Sequence, residues 1–424
     1  MQSPNQHRNS IMPMLIIGAL FFVFGFVTWL NGTLIAYLKV ACQLNNLEAT
    51  LVTFAFYISY TIMALPSAWV LKHTGLHRGM TIGLLVMAVG ALLFIPAAYQ
   101  RIYWIFLTGL FVEGAGLALL QTAANPYVAI IGPSESAARR ISIMGICNKL
   151  AGVVAPLILA HFVLQDVDLL EQSLGQMDAA AQASALDALS RRAIAPYACI
   201  AIALCVLGIA VRLSPLPNVN QEDEAETDTN AQPDHRTSVL QFPNLILGAI
   251  ALFFYVGVEV IAGDTIIQYG KMQGLPISTA QTLTSYTLAA MILGYIMGII
   301  AIPRFISQQR ALLLSAALGL ALSAGVVLLP TKASITCLAL LGLANAIMWP
   351  AIWPLAIHGL GRFLNAGSAL LIMAIAGGAI VPLLWGWLAD NGSPQTAYII
   401  MLPLYFAIFA YASKGYRIKT WHKK

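Results

Sequence analysis

Long apolar runs alternate with short polar breaks along the whole chain, and most runs reach 20 residues or more. About 20 apolar residues in a helix cross the hydrocarbon core of a bilayer. Read this way, the pattern predicts twelve transmembrane helices at 12–38, 50–71, 79–99, 102–131, 141–164, 194–212, 242–268, 278–302, 309–329, 333–357, 363–388 and 393–413. The two-residue alternation of barrel strands is absent, so the predicted class is an all-α membrane protein. Two polar stretches interrupt the rhythm. Gln165–Arg192 is Ala-rich with scattered acids and predicts a surface helix. Leu213–Thr237 opens with two prolines, Pro215 and Pro217, followed by an acidic run of Glu222, Asp223, Glu224, Glu226 and Asp228. It predicts a linker that divides six spans from six.

The seventh span carries charge. Phe253–Lys271 reads FFYVGVEVIAGDTIIQYGK, with Glu259 and Asp264 inside it. An acid at the centre of a lipid-facing helix costs about 2.5–3.5 kcal/mol on the insertion scale, so such groups face a protein interior or a wet cavity. The stretch echoes Phe21–Lys39, FFVFGFVTWLNGTLIAYLK, at an offset of 232. Gly25 meets Gly257, Thr33 meets Thr265 and Lys39 meets Lys271, but Gly32 stands opposite Asp264. At an offset of 228, Gln121 and Pro126 meet Trp349 and Pro354; at 226, Gly152 and Pro156 meet Gly378 and Pro382. Spans 1, 4 and 5 thus match spans 7, 10 and 11 in order. A duplicated unit predicts two pseudo-symmetric six-helix bundles, residues 1–212 and 241–424, joined by a cytoplasmic linker at 213–240.

Composition agrees with a membrane location. Of 424 residues, 59% are hydrophobic and 9% charged, with a mean hydropathy of +0.80. The net charge of +5 needs no nucleic-acid partner. With the N-terminus inside, fifteen Lys and Arg fall on the inner side, six fall outside and Lys149 lies within a span, out of 22. That bias predicts cytoplasmic termini in a bacterial inner membrane. The five cysteines (42, 147, 199, 205 and 337) have no ligand spacing and read as buried structural thiols. No cleavable signal is expected, because the first apolar run is too long for the apolar core of one.

Polar residues inside spans are the candidates for chemistry. Glu113, Gln121 and Asn125 recur at multiples of four and form one stripe on the fourth span. Amides offer donors and an acceptor without charge, which suits a neutral hydroxylated ligand. Asn31, in WLNGT of the first span, and Gln268, one turn after Asp264, extend the same chemistry. Trp349 and Trp353 in MWPAIWP offer indole faces, with Asn345 on a nearby face. Lys149 in the fifth span calls for an acid, which Glu259 or Asp264 can supply. Competition between that lysine and a proton or sodium ion is one route to coupling. Glu113 serves equally as a cavity wall, a gate or a coupling site. Packing between helices is the bland alternative for each amide. No P-loop, H-E-x-x-H or G-x-S-x-G arrangement is present, so neither ATP drive, a resident cofactor nor catalysis is expected.

At FGFVTWLNG (24–32), LLQTAANPY (119–127), ESAARRISIMGICNKLAG (135–152), FFYVGVEVIAGDTI (253–266), WPAIWPLA (349–356) and SALLIMAIAGGAIVPLLWG (368–386), the chain resembles the fucose–galactose–glucose:cation symporters of the major facilitator superfamily. The resemblance implies import of a neutral hexose of the glucose/galactose type with a proton or sodium ion, by alternating access in a monomer. It matches Asn148 to an amide that the fucose members use. It also exposes a departure. The fucose:proton members carry an Asp in the first span and an important Glu in the fourth, where Gly32 and Gln121 stand here. Coupling is therefore expected at Asp264 and Glu259, with Lys149 and Glu113 as further candidates. An N-acetylglucosamine importer, a drug or metabolite exporter and a membrane sugar sensor are the rival expectations.

Overall fold

The computed structural model describes residues 4–130, 137–214, 237–302, 304–360 and 363–421, and among these every regular element is helical. Eleven helical segments are long and apolar enough to cross a membrane. One of them, Asn46–Gln100, is 55 residues long. At 1.5 Å per residue it would extend about 80 Å, far beyond one bilayer core. Gly75, at φ 75° and ψ 166°, interrupts it, a backbone state that favours glycine. The two limbs are the second and third predicted spans, and the count becomes twelve. Asn45 starts the first limb with a capping box: it accepts from Glu48 N at 2.7 Å, and Glu48 Oε2 accepts from Asn45 N at 2.9 Å.

Several spans differ from the uninterrupted helices expected. The first is Pro4–Thr28 followed by Asn31–Ala41, with a break at Trp29 and Leu30. The seventh is Pro243–Asp264 followed by Ile266–Met272, with a break at Thr265. The tenth is Thr331–Asn345 followed by Met348–Ile357. Broken helices survive at membrane depth only where protein or water replaces the lost backbone bonds. In the seventh span two threonines of the eighth do this: Thr284 donates to Gly263 O at 2.7 Å and Thr287 to Ala262 O at 3.4 Å.

The repeat is visible in the packing. Spans 1 and 5 cross at Gly25, where a Cβ would lie 1.8 Å from Asn148 O. Spans 7 and 11 cross at Gly377, where a Cβ would lie 1.8 Å from Phe253 O. The halves meet where span 11 packs on span 2, span 8 on span 5 and the resumed part of span 1 on span 7. The Ala-rich stretch folds as two helices, Val167–Leu174 and Ala179–Arg191. The second is pinned to the bundle, since Ser190 O accepts from Tyr37 at 2.6 Å and Ser190 Oγ donates to Ala98 O at 3.0 Å. Most of the acidic linker, residues 215–236, lies outside the described residues.

Large apolar side chains cover the outer surface, among them Leu65, Trp69, Trp104, Ile202 and Leu213. That surface suits lipid, and indoles near span ends match an interfacial belt. All five cysteines are free, and none is buried as expected: Cys199 is exposed on the sixth span and the other four are half-buried.

Candidate functional site

A charged layer lies where the two halves meet. Lys149 of the fifth span donates to Glu259 Oε1 of the seventh at 2.8 Å, with the two residues 7% and 9% exposed. The lysine ammonium also sits 4.2 Å from the centroid of the Trp29 ring. Trp29 is free to lie there because the first span breaks at that residue. Its ring fills space that side chains at Gly152 and Gly263 would occupy, with Cβ positions 2.5 Å and 2.3 Å from ring atoms. Trp29 Nε1 donates to Asn148 Oδ1 at 3.3 Å, and Asn148 Nδ2 donates to Phe21 O at 3.4 Å. Asn148 therefore ties the fifth span to the first while staying half-buried.

Of the two acids in the seventh span, Glu259 takes the lysine. Asp264 is wholly buried, and neither of its carboxylate oxygens has a hydrogen-bond partner. Asn31 lies beside it in the fold: a Cβ at neighbouring Gly32 would fall 3.2 Å from Asp264 Cα. The Asn31 amide is buried and unpartnered at both ends.

The other candidates separate into groups. Gln121 is half-buried and donates to the Tyr60 hydroxyl at 3.4 Å. Trp349 and Trp353 stack at 5.4 Å with planes 25° apart, and both are half-buried. Tyr255, one turn before Glu259, lies 6.4 Å from Trp349 and joins the indole pair to the charged layer. Asn125 is on the fourth span, but its side chain lies outside the described residues.

Three candidates sit elsewhere. Asn345 Oδ1 accepts from Tyr405 at 2.8 Å, which ties the tenth span to the twelfth inside the C-terminal half. Glu113 is buried against the third span, where a Cβ at Gly90 would lie 2.6 Å from its Cγ, and near Tyr197 of the sixth. It belongs to the interior of the N-terminal half. Gln268 donates to Asn46 Oδ1, as does Lys39, at the start of the second span.

That last contact belongs to a polar latch on the face carrying the loops after odd-numbered spans. Asp390, ending the eleventh span, accepts from Asn46 N at 3.2 Å and Leu47 N at 2.7 Å, and from the Asn46 side chain. A carboxylate on a helix N-terminus meets unpaired N–H groups and the positive end of the dipole. Lys271 pairs with Glu171 at 2.5 Å, and Ile277 N donates to Asp168 at 2.8 Å. Apart from Lys39–Asn46, each of these contacts joins the two halves, so the molecule is closed on this face. Among the described residues, no group of three His, Cys, Asp or Glu is arranged to hold a metal.

Trp29, Tyr255 and Asp390 were not among the residues expected from the sequence to serve the site. A tryptophan two positions before Asn31-Gly32 in an apolar run was the available signal for the first.

Residues 17–375 match the model of the Major Facilitator Superfamily. The chain belongs to that superfamily. It is 35% identical to a protein of Brucella abortus named glucose/galactose transporter, over 97% of this chain and 96% of the relative. It is 28% identical to the L-fucose-proton symporter of Haemophilus influenzae, over 97% and 98%. A crystal structure of the superfamily member FucP in the outward conformation matches with a TM-score of 0.73 at 27% identity, covering 95% of this chain and 98% of that one. The twelve spans and the two related halves are thus those of a major facilitator transporter.

Proposed function

We propose that this chain imports a neutral hexose of the glucose/galactose type across a bacterial inner membrane, coupled to a monovalent cation by alternating access. The superfamily assignment and the full-length relatives named as sugar transporters support the class. The observation that carries the coupling is the layer between the halves, in which Lys149 is spent on Glu259 and Asp264 is left without a counter-charge. Gln121 and the stacked Trp349–Trp353 pair, next to that layer through Tyr60 and Tyr255, are the groups we assign to the sugar. Amides pair with hydroxyls, and indole faces pack on the C–H faces of a pyranose. Rocking of residues 1–212 against 241–424 would open and close the latch at Asp390. The Lys and Arg bias supports cytoplasmic termini, and a monomer suffices because the site lies between halves of one chain.

The test is uptake into liposomes holding the purified chain, with glucose, galactose and N-acetylglucosamine compared under imposed proton and sodium gradients. Concentrative uptake of a hexose is expected. Movement of lipophilic cations with no sugar uptake would favour an exporter and overturn the reading.

A further inference from the structure

The polar latch follows the repeat of the chain. Lys39 and Lys271, counterparts at the offset of 232, each lie in the last turn of the short helix beyond a break. Leu47 and Ile277, related by an offset of 230 (277 minus 47), lie where the next span of each half begins. The first N–H groups of a helix have no partner within it. Here each is met by an acid of the opposite half: Leu47 N donates to Asp390 at 2.7 Å, and Ile277 N donates to Asp168 at 2.8 Å. Asp390 ends span 11, and Asp168 follows span 5, the counterpart of span 11. The lysines stand beside these caps. Lys271 pairs with Glu171 at 2.5 Å, and Lys39 donates to Asn46 within electrostatic reach of Asp390 and Glu171.

The two caps are built differently. Span 11 ends at Asp390 and the next helix starts at Thr396, so that acid comes from the span itself. Span 5 ends at Val163 and span 6 starts only at Ile194, and the acid comes from the inserted helix Val167–Leu174. Asp168 and Glu171 are three residues apart and share a face of that helix. They grip Ile277 and Lys271, the two ends of the turn between spans 7 and 8. The inserted helix belongs to the N-terminal half: Val167 is 0% exposed beneath it, and Arg192 donates to Gln165 O just before it.

We propose that the two acid caps form one two-sided outer gate, with the helix Val167–Leu174 as a strap that locks the N-terminal half onto the turn between spans 7 and 8. The proposal rests on the import reading with cytoplasmic termini, which makes this face the outer one, and it names the residues that must part before sugar enters. Each cap has its acid on one half and its N–H groups on the other. Rocking the halves apart on this face therefore breaks both. Each broken cap returns a carboxylate and its donors to water, and hydration replaces most of what is lost, so one cap holds by about a factor of ten. Two caps at separate places multiply their factors, which keeps the mouth shut without making it hard to open.

The experiment measures how fast a polar maleimide labels a cysteine placed behind the gate. Thr50 is 0% exposed, one turn inside Asn46, and a Cβ at Gly386 of span 11 would lie 2.8 Å from its hydroxyl. Thr50→Cys is made in the full-length chain with its five native cysteines replaced by serine, and this parent is purified in detergent. Asp168→Asn and Asp390→Asn should each raise the labelling rate about tenfold, and together about a hundredfold. Lys271→Glu and Glu171→Lys should each raise it about threefold by facing like charges, and the two combined should return it to about the parent rate. Melting profiles show that each variant is folded. Asp168→Asn labelling at the parent rate overturns the proposal, because the inserted helix then holds nothing shut. So does a combined reversal that labels as fast as either single one. Hexose exchange by the parent in liposomes alongside either result leaves the import reading standing with its gate elsewhere, whereas absence of any hexose movement strikes that reading instead.

Discussion

The Lys149–Glu259 pair lends itself to a double-mutant cycle. It is a 2.8 Å contact between residues buried at 7% and 9% exposure, with Trp29 stacked 4.2 Å from the ammonium. Removing one partner of a buried pair strands the other charge and costs about 3–5 kcal/mol. Lys149→Met should therefore destabilise by about that amount, with the Trp29 contact contributing about 1–2 kcal/mol of it. Glu259→Gln should cost less on the glutamate side, since an amide still accepts from the ammonium, yet it leaves a buried lysine with a weaker partner. The double variant Lys149→Met/Glu259→Gln carries no stranded charge at this pair and should recover most of the loss. Denaturant titration of the purified protein in detergent measures the four stabilities, and the coupling energy follows from their differences. If the two single losses simply add in the double variant, the pair is not energetically joined, and the reasoning that leaves Asp264 as the free acid fails with it.

Three further outcomes follow from the geometry. Asp390→Asn removes the carboxylate that caps the second span across the halves; with charge-assisted hydrogen bonds at about 1.5–3 kcal/mol, the latched face should open by roughly tenfold or more in population, read by labelling of cysteines placed behind it. Trp349→Ala should raise the half-saturating sugar concentration about tenfold through loss of a stacking face, with little change in the ion requirement measured by transport. Tyr405→Phe breaks the bond to Asn345 inside the C-terminal half, so it should lower thermal stability by about 1 kcal/mol and leave sugar affinity unchanged, because that amide serves packing.

The spans were legible because lipid imposes one rule on every stretch that crosses it, and the repeat was legible because Gly25 and its counterpart Gly257 both lie where another helix comes too close for a side chain. The breaks at Trp29–Leu30 and Thr265 were not, since one or two irregular residues barely change the hydropathy of a 20-residue window. The need of Lys149 for an acid could be read from its depth, but choosing Glu259 over Asp264 takes coordinates. Amides were the hardest. Asn345 and Gln268 sit in spans as Asn31 does, yet Tyr405 claims the first and Asn46 the second. A sequence shows that an amide is inside the membrane and not which neighbour reaches it. Glu113 illustrates the same limit: its stripe with Gln121 is real, but two turns along that helix lead into the N-terminal half, away from the layer holding Asp264.

The central claim is that Asp264 converts an ion gradient into sugar accumulation. Its most direct measurement compares wild type with Asp264→Asn in liposomes, following both sugar exchange without a gradient and net uptake with one. Exchange should survive and gradient-driven accumulation should vanish, because the amide preserves the site's shape and removes its charge. Accumulation by Asp264→Asn at the wild-type level would contradict the account.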